Sequence, residues 1–391
     1  MKLERVEIVH VAIPLVTPFR TSFGTMTTKD TFLLHVVTDS AEGWSEFAAD
    51  PEPLYCSEFV AGAEIVLRDF LIPRVAALGE VTAAALAPAM AKIKGHELAK
   101  AALETALLDA ELRTYGMPLA VYLGAVRDRV PAGVSVGIKD SVPELLDEVE
   151  RYLAEGYVRI KLKIEPGWDV EPVRAVRDRF GEALPLQVDA NTAYTLADAE
   201  QLRRLDEFGL LLIEEPLQEN NLHAHAQLQQ RLRTPVCLDE SLHHASDTAA
   251  AIAMDACRVV NVKPARVGGY LEARRVHDVA HAHGVPVWCG GMLETGIGRA
   301  PNLALAALPG CTLPGDTSAS SRYFAEDITE PFVLQDGHLP VPTAPGIGIE
   351  PLPEALRRFT RGRRDLYAAQ GTAGGHVRLI PCSHVSRVPR P

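Results

Sequence analysis

Five ionisable residues recur at a nearly constant interval along the middle of the chain, each at or near the end of a short apolar run. They are Lys163, Asp189, Glu214, Asp239 and Lys263, and successive members are 24 to 26 residues apart. This interval is about the length of one strand–helix unit, since a parallel barrel of eight such units takes roughly 250 residues. The repeat therefore predicts a (β/α) barrel with three carboxylates and two flanking lysines at one mouth.

The apolar runs that precede these residues in sequence predict parallel strands that are buried on both faces. Stretches of helical character separate them, which gives an α/β fold class. Eight strands are predicted between roughly residues 131 and 315, namely Ala132–Ile138, Tyr157–Ile164, Leu186–Asp189, Leu210–Ile213, Pro235–Leu238, Val259–Val262, Pro286–Cys289 and Cys311–Leu313.

The first 130 residues follow a different pattern and predict an α+β domain. Its strands are expected at Val6–Ile13, Thr31–Thr38 and Gly43–Phe47, and its helices at Glu58–Phe70, Thr82–Lys92 and Leu98–Tyr115. Loops near 15–26 and 47–57 are placed to act as lids over a site on the barrel.

The chain beyond the barrel divides into two segments. We expect the barrel to occupy residues 131–318 and residues 319–356 to return to the first domain, with strands in Ile328–Val341. Residues 357–391 carry eight arginines and one aspartate and are rich in Gly, Ser and Pro. This composition predicts a basic tail without stable structure.

Composition narrows the functional class. An apolar fraction of 47% and a charged fraction of 23% are typical of a globular protein, and the net charge of −12 argues against a general nucleic-acid partner. No apolar stretch is long enough to span a membrane, and the N-terminus has no signal core. We therefore expect a cytoplasmic protein without a membrane partner.

The three acids are suited to a divalent metal ion. Mg²⁺ is held in proteins by a few carboxylates, with water or substrate oxygens completing its shell, and Mn²⁺ or another divalent cation can substitute. A single aspartate in such a place would be interpreted as a helix cap or a loop charge. Three acids at one pitch, with no histidine or cysteine at matching positions, favour a magnesium site instead.

The lysines are suited to proton transfer. Lys161 and Lys163 are two residues apart on one predicted strand and so share a face, while Lys263 ends a strand across the barrel mouth. A lysine acts as a base when nearby cations lower its pKa, and here we expect the second lysine and a metal ion to do so. The predicted chemistry is abstraction of a proton next to the carboxylate of a small substrate.

These motifs resemble the enolase superfamily in its muconate-lactonising subgroup. Lys163 lies in KLK, Lys263 in NVKPARVGG, and the acids in VDANTAY, IEEPL and CLDES. The resemblance spans roughly residues 1–355 and implies a modified TIM barrel whose α+β capping domain is completed by C-terminal residues. It implies that Asp189, Glu214 and Asp239 bind Mg²⁺ and that Lys163 and Lys263 are the acid/base pair.

Further stretches resemble the o-succinylbenzoate synthase / N-acylamino acid racemase family. They are GVSVGI, YVRIKLKIEPGWD, VWCGGMLETGIGR and LPGDTSAS. The resemblance implies substrate contacts by Ser135, Lys161 and Asn191, a side-chain pocket lined by Gly291 and Met292, and cover from Phe19. It also implies a homo-oligomer, since members of the family are commonly dimers or larger rings.

Two reactions fit one such site. The first is dehydration of 2-succinyl-6-hydroxy-2,4-cyclohexadiene-1-carboxylate to o-succinylbenzoate, in the menaquinone pathway. The second is racemisation of N-succinyl or N-acyl amino acids, and a dedicated racemase without a menaquinone role is the main alternative. A dipeptide epimerase would need a second acid after Asp316, where the sequence has Thr317-Ser318. A non-catalytic binding protein is the remaining alternative.

Overall fold

The computed structural model describes residues 1–22 and 24–369 of the 391-residue chain. Its strands within these residues are β1 (Leu3–Thr21), β2 (Gly24–Thr38), β3 (Glu42–Glu46), β4 (Arg129–Pro131), β5 (Gly133–Val136), β6 (Arg159–Lys163), β7 (Leu186–Asp189), β8 (Ile213–Glu214), β9 (Val236–Leu238), β10 (Val259–Val262), β11 (Val287–Cys289), β12 (His338–Pro340) and β13 (Thr360–Ala368).

The α-helices of the same residues surround two sheets. They are α1 (Val60–Val66), α2 (Ile72–Ala76), α3 (Ala83–Met90), α4 (Glu97–Thr114), α5 (Leu119–Leu123), α6 (Val142–Glu155), α7 (Val170–Phe180), α8 (Ala199–Arg203), α9 (Leu222–Gln229), α10 (Ala245–Ala253), α11 (Tyr270–Ala282), α12 (Gly296–Ala306) and α13 (Pro353–Phe359). None of them is long and apolar enough to cross a membrane.

The central sheet is parallel and places its strands in chain order, from β5 at one edge to β11 at the other. Alternating strands and helices produce this order, because each helix carries the chain back to the start of the next strand. The predicted parallel barrel is confirmed, and its strands are buried along their whole length.

The eighth predicted strand is reduced to two isolated bridges. Cys311 pairs with Val287 next to β11, and Gly315 pairs with Ala132 just before β5, so this segment joins the two edges of the sheet. Pro309 and Pro314 lie at its ends and lack the backbone N–H that a longer ladder would need. The prediction of a full strand at Cys311–Leu313 is therefore wrong.

Local sequence explains where the barrel helices begin and end. Helix α6 begins after Ser141, whose side chain accepts a hydrogen bond from the Glu144 N–H, and it ends at Gly156, which has a φ of 100°. Its buried residues, Leu145, Val149 and Tyr152, lie on one face. A polar N-cap, a left-handed glycine and one apolar stripe are together sufficient to dock the helix on the sheet.

A second, antiparallel sheet has the order β13-β1-β2-β3 and packs on helix α4. Two segments differ here from expectation. Residues 15–26 were predicted to be a loop, but residues 15–21 belong to β1 and residues 24–26 to β2, and the pairing of these two strands is interrupted by a register shift between Pro14 and Phe19. The two prolines at 14 and 18 break the apolar alternation, which is why the sequence predicts a loop.

The C-terminal prediction is also wrong in two respects. Strand β12 pairs with β4 beside the barrel, so residues 328–341 add no strand to the antiparallel sheet. Strand β13, from the segment expected to be an unstructured tail, completes that sheet by pairing with β1. Charged side chains are usual on an edge strand, so arginine content misled the prediction. Residues 370–391 lie outside the described residues.

Candidate active site

The predicted acids lie side by side at the carboxyl end of the parallel sheet. In the strand register Lys163 is opposite Asp189, and Asp189 is opposite Glu214. Asp239 directly follows β9, and Lys263 directly follows β10. Because parallel strands end on one edge of the sheet, the five residues that recur in the sequence form a continuous arc of charged groups there.

The two lysines of β6 bind carboxylates from neighbouring strands. Lys161 Nζ lies 3.1 Å from Asp189 Oδ2, 2.9 Å from Glu214 Oε2 and 2.5 Å from Asp316 Oδ2. Lys163 Nζ donates to Asp189 Oδ2 and to Asn191 Oδ1, both at 2.6 Å. The two side chains share one face of the strand, and all of these groups are buried.

Lys263 is held at the other side of the arc. Its Nζ lies 2.6 Å from Asp239 Oδ2 and 3.0 Å from the Tyr55 hydroxyl, which comes from the loop after β3. Arg266 Nη2 lies 2.8 Å from the other Asp239 oxygen. A Cβ at Gly290 would lie 2.5 Å from Asn261 Oδ1 and 2.7 Å from Lys263 Cε, so a side chain there would displace one or both of these groups.

A cavity of about 400 Å³ opens above these groups. Eight of the predicted site residues line it, namely Phe19, Ser135, Lys161, Lys163, Asn191, Lys263, Gly291 and Met292. Asp189, Glu214 and Asp239 do not line the cavity themselves, but they contact the lysines that do. The β1–β2 hairpin and the loop after β3 supply further walls, including Leu54 and Tyr55, and Asp316 and Tyr323 also line the cavity.

Sequence analysis missed several side chains that complete this charge network. Asp316 pairs with both Arg159 and Lys161, Asn261 Nδ2 donates to Glu214 Oε1 at 2.6 Å, and Glu240 accepts from Asn191. Asn261 could have been found, because it is two residues before Lys263 and therefore on its face of β10. Asp316 was considered only in weighing a dipeptide epimerase, and no signal predicted its pairing, since both partners are more than 150 residues away in sequence.

The carboxylates control the protonation of the lysines. Burial lowers the pKa of Lys161, but the charges of Asp316, Glu214 and Asp189 outweigh it and raise that pKa well above its usual value. Burial of Lys263 is likewise outweighed by Asp239, and its pKa is raised. The expectation that the second lysine and a metal ion lower the pKa of the lysine base stays a prediction, because it depends on a bound ion.

The acids respond in opposite directions. Burial raises the pKa of Glu214 well above its usual value, and the nearby Asp189 charge adds to the effect. For Asp239, Lys263 and Arg266 outweigh burial and lower the pKa. For Asp316, Lys161 and Arg159 outweigh burial and lower the pKa to about 2. The site thus holds several carboxylates in close proximity only because basic groups separate them.

The donor set fits a hard divalent cation. The Lys161 ammonium lies within 3.1 Å of Asp189 and Glu214 together, so these two acids already share one positive charge. Carboxylate oxygen is the ligand type that Mg²⁺ prefers. Among the described residues, however, no three acid, histidine or cysteine side chains are already arranged around a common point. Asp239 instead pairs with Lys263 and Arg266.

Comparison with known proteins finds two matching family models. Residues 4–124 match the mandelate racemase / muconate lactonizing enzyme N-terminal domain, and residues 144–355 match the enolase C-terminal domain-like family. An N-succinylamino acid racemase from Amycolatopsis sp is 62% identical over 93% of this chain and 99% of its own. An o-succinylbenzoate synthase from Geobacillus kaustophilus is 46% identical over 92% and 96%.

Solved structures show the same likeness. The structure of an enolase superfamily member from Listeria innocua superposes with a TM-score of 0.89 at 38% identity, and covers 93% of this chain and 99% of its own.

Proposed function

This chain belongs to the mandelate racemase / muconate lactonizing enzyme family of the enolase superfamily, and from that premise we propose that it removes the α-proton of small carboxylates. The reactions proposed are the dehydration that forms o-succinylbenzoate and the racemisation of N-succinyl or other N-acyl amino acids. Relatives bearing each of these names match over nearly the whole chain. The enzyme would be a lyase and an isomerase that use one site.

The observation that carries this proposal is the placement of Lys163 and Lys263. They line one cavity from strands that three others separate, and so approach a bound molecule from different sides. Each could contact the α-carbon of a carboxylate held between them. Proton transfer by a positioned side chain contributes typically 10²–10⁴-fold to a rate.

Enzymes of this family generally depend on a divalent metal ion. We assign Asp189, Glu214 and Asp239 as its ligands and Mg²⁺ as its identity. When bound, the ion would hold the substrate carboxylate and stabilise the negative charge that develops there.

In the dehydration, Lys163 Nζ would take the α-proton and the neighbouring hydroxyl would leave. The proton removed by Lys163 balances the proton that the departing hydroxyl needs to leave as water. Lys263 would remain an ammonium and stabilise the developing negative charge from the other side of the cavity. Asn191 would orient Lys163, since its Oδ1 accepts a hydrogen bond from that lysine.

In racemisation, one lysine would take the α-proton and the other would return a proton to the opposite face of the α-carbon. Ser135 and Lys161 would bind polar groups of the substrate, while Gly291, Met292 and Phe19 would enclose its side chain. The cavity of about 400 Å³ is large enough for an acylated amino acid. A cytoplasmic location and a homo-oligomeric assembly belong to the same proposal.

A dedicated racemase is the second candidate. The relative at 62% identity bears the racemase name, whereas the synthase named above is 46% identical. The decisive experiment measures kcat/KM of one preparation for the cyclohexadiene substrate and for N-succinylphenylalanine. Comparable values would support the dual function, loss of the synthase reaction alone would support the dedicated racemase, and inactivity on both with Mg²⁺ would overturn the proposal.

A further inference from the structure

The loop that links β11 to α12, residues 290–295, forms one wall of the cavity with Gly291 and Met292. Its backbone is unusual, because Leu293 has a φ of 55°, in the left-handed region that few side chains adopt. A conformation of this kind persists only where surrounding structure holds it. Arg299 and Asn302 of α12 hold Glu294 of this loop, and two further supporting residues lie in the antiparallel sheet.

Lys29 of β2 contacts this loop from behind. Its side chain is completely buried, and its Nζ donates a hydrogen bond to the Met292 carbonyl at 3.0 Å. Lys29 itself does not line the cavity, although the adjacent Thr28 and Asp30 do. The lysine therefore acts on the cavity through the backbone of Met292.

Glu46 of β3 holds the far end of the loop. One carboxylate oxygen, Oε2, accepts hydrogen bonds from the Thr295 N–H at 2.9 Å and from its hydroxyl at 2.6 Å, at the start of α12. The other oxygen lies 3.8 Å from Lys29 Nζ and has no hydrogen-bond partner among the described residues. The middle of the loop, at Met292, and its last residue, Thr295, are thus bound to one buried ion pair.

A fully buried lysine and glutamate are costly to place, since each loses its hydration. Burial raises the pKa of Glu46 to about 7, although Lys29 opposes the shift. The two residues come from adjacent strands of a sheet that already has an extensive apolar core. Apolar side chains at positions 29 and 46 would stabilise the fold as well as this ion pair does. We therefore attribute to Lys29 and Glu46 a role in the geometry of the loop.

We propose that Lys29 and Glu46 are positioning residues that fix residues 290–295 and thereby determine which amino-acid side chains the cavity accepts. The inference rests on the proposed racemisation, in which Met292 encloses the substrate side chain. Loosening the loop would change the fit of a large side chain more than that of a small one. An enzyme discriminates by about 10–200-fold between two substrates that differ by one methylene in a hydrophobic pocket.

The experiment compares Lys29→Met, Glu46→Gln and a matched control, Ser45→Ala. Ser45 is buried on the same strand as Glu46 and donates to the Ala102 carbonyl, but it does not contact the loop. For each variant, kcat and KM are measured with N-succinylphenylalanine and N-succinylalanine. We expect Lys29→Met to change the ratio of the two kcat/KM values by about tenfold, chiefly through KM. Glu46→Gln should change it in the same direction, and Ser45→Ala should leave it as in wild type.

An unchanged ratio in both loop variants would overturn the inference, as would an equal change in Ser45→Ala. Hydrogen exchange of the backbone amides in residues 290–295 provides a readout that does not require activity. We expect faster exchange there in Lys29→Met and Glu46→Gln but not in Ser45→Ala, and unchanged exchange would also overturn the inference. Wild-type inactivity on both substrates would instead count against the proposed function, while the exchange result would still decide the role of Lys29.

Discussion

Lys163 and Lys263 line the same cavity although three strands separate β6 from β10, and each Nζ lies 2.6 Å from a different carboxylate. Separate counter-ions allow the two amines to keep different protonation states. If both lysines shared one carboxylate, the protonation of one lysine would depend on that of the other. This arrangement suits two groups that exchange protons with opposite faces of one carbon.

Replacement of either lysine by alanine should abolish racemisation, because the lysine that remains can reach only one face of the α-carbon. We expect Lys163→Ala and Lys263→Ala each to lower the rate of racemisation by about 10²–10⁴-fold, because each removes a positioned acid or base. The measurement is conversion of one enantiomer of an N-succinyl amino acid into the other, followed by polarimetry, with circular dichroism to verify folding. Lys92→Ala, at an exposed position, is the control. Racemisation at the wild-type rate in either site variant would exclude a two-base mechanism.

Removal of divalent ions should abolish activity, and Mg²⁺ or Mn²⁺ should restore it. The physical reason is that a ligand which binds only the folded state stabilises it, so added Mg²⁺ should also raise the Tm of the wild type. Glu214→Gln should lose this rise in Tm, whereas Glu207→Gln, at an exposed position, should keep it. Full turnover after exhaustive dialysis against chelator would contradict the assignment of the three acids.

Asp316 should be important for stability as well as for the site. It is the carboxylate that pairs with fully buried Arg159, at 2.9 Å, and it also neutralises Lys161. Asp316→Ala would leave buried positive charge without this partner, and we expect a loss of about 3–5 kcal/mol in the free energy of unfolding. Urea denaturation measures the loss. The exposed pair of Glu150 and Arg179 gives the comparison, where Glu150→Ala should cost less than about 1 kcal/mol.

Acid should destabilise the protein partly through His225. This ring is buried, accepts a hydrogen bond from the Leu217 N–H, and has a pKa that burial lowers from 6.5 to about 4. Between these values the unfolded chain binds the proton and the folded chain does not. Stability is therefore complete above pH 6.5 and falls as the pH decreases toward 4, by up to about 3 kcal/mol from this group.

The check on His225 is denaturant unfolding at several pH values between 7.5 and 4.5, with His225→Gln for comparison. Glutamine can still accept from Leu217 but does not titrate in this range. The variant should be less stable at pH 7.5 and lose less stability on acidification. Parallel curves for the two proteins would assign the acid sensitivity to other groups.

The barrel and the arc of charged residues could be predicted from sequence because both depend on local periodicity. Strand ends recur at one interval, and the side chains at those ends must share an edge. Asp316 could not be predicted in its role, because its pairing with Arg159 depends on closure of the barrel between distant segments. The specific hydrogen bond from Lys29 to Met292 likewise joins residues that are 263 positions apart.

Composition was a poor guide at the C-terminus. The stretch RGRRDLY has the charge of a solvated tail, yet Leu366 packs into the core and the arginines remain at the sheet edge. Arg363 lies 3.4 Å from Glu7 of β1, and Arg364 binds Glu64 of α1. An edge strand needs only one buried side chain in several, so its hydrophobic signal is weak.

The pairing of β13 with β1 joins residue 5 to residue 368 and has a consequence for biosynthesis. A ribosome must translate the whole barrel before the antiparallel sheet can acquire β13. Until then β1 presents open hydrogen-bonding groups to other nascent chains, which is a hazard for aggregation. Premature termination near residue 359 would make that hazard permanent, so a product that contains the whole barrel would still be handled by the cell as a misfolded one.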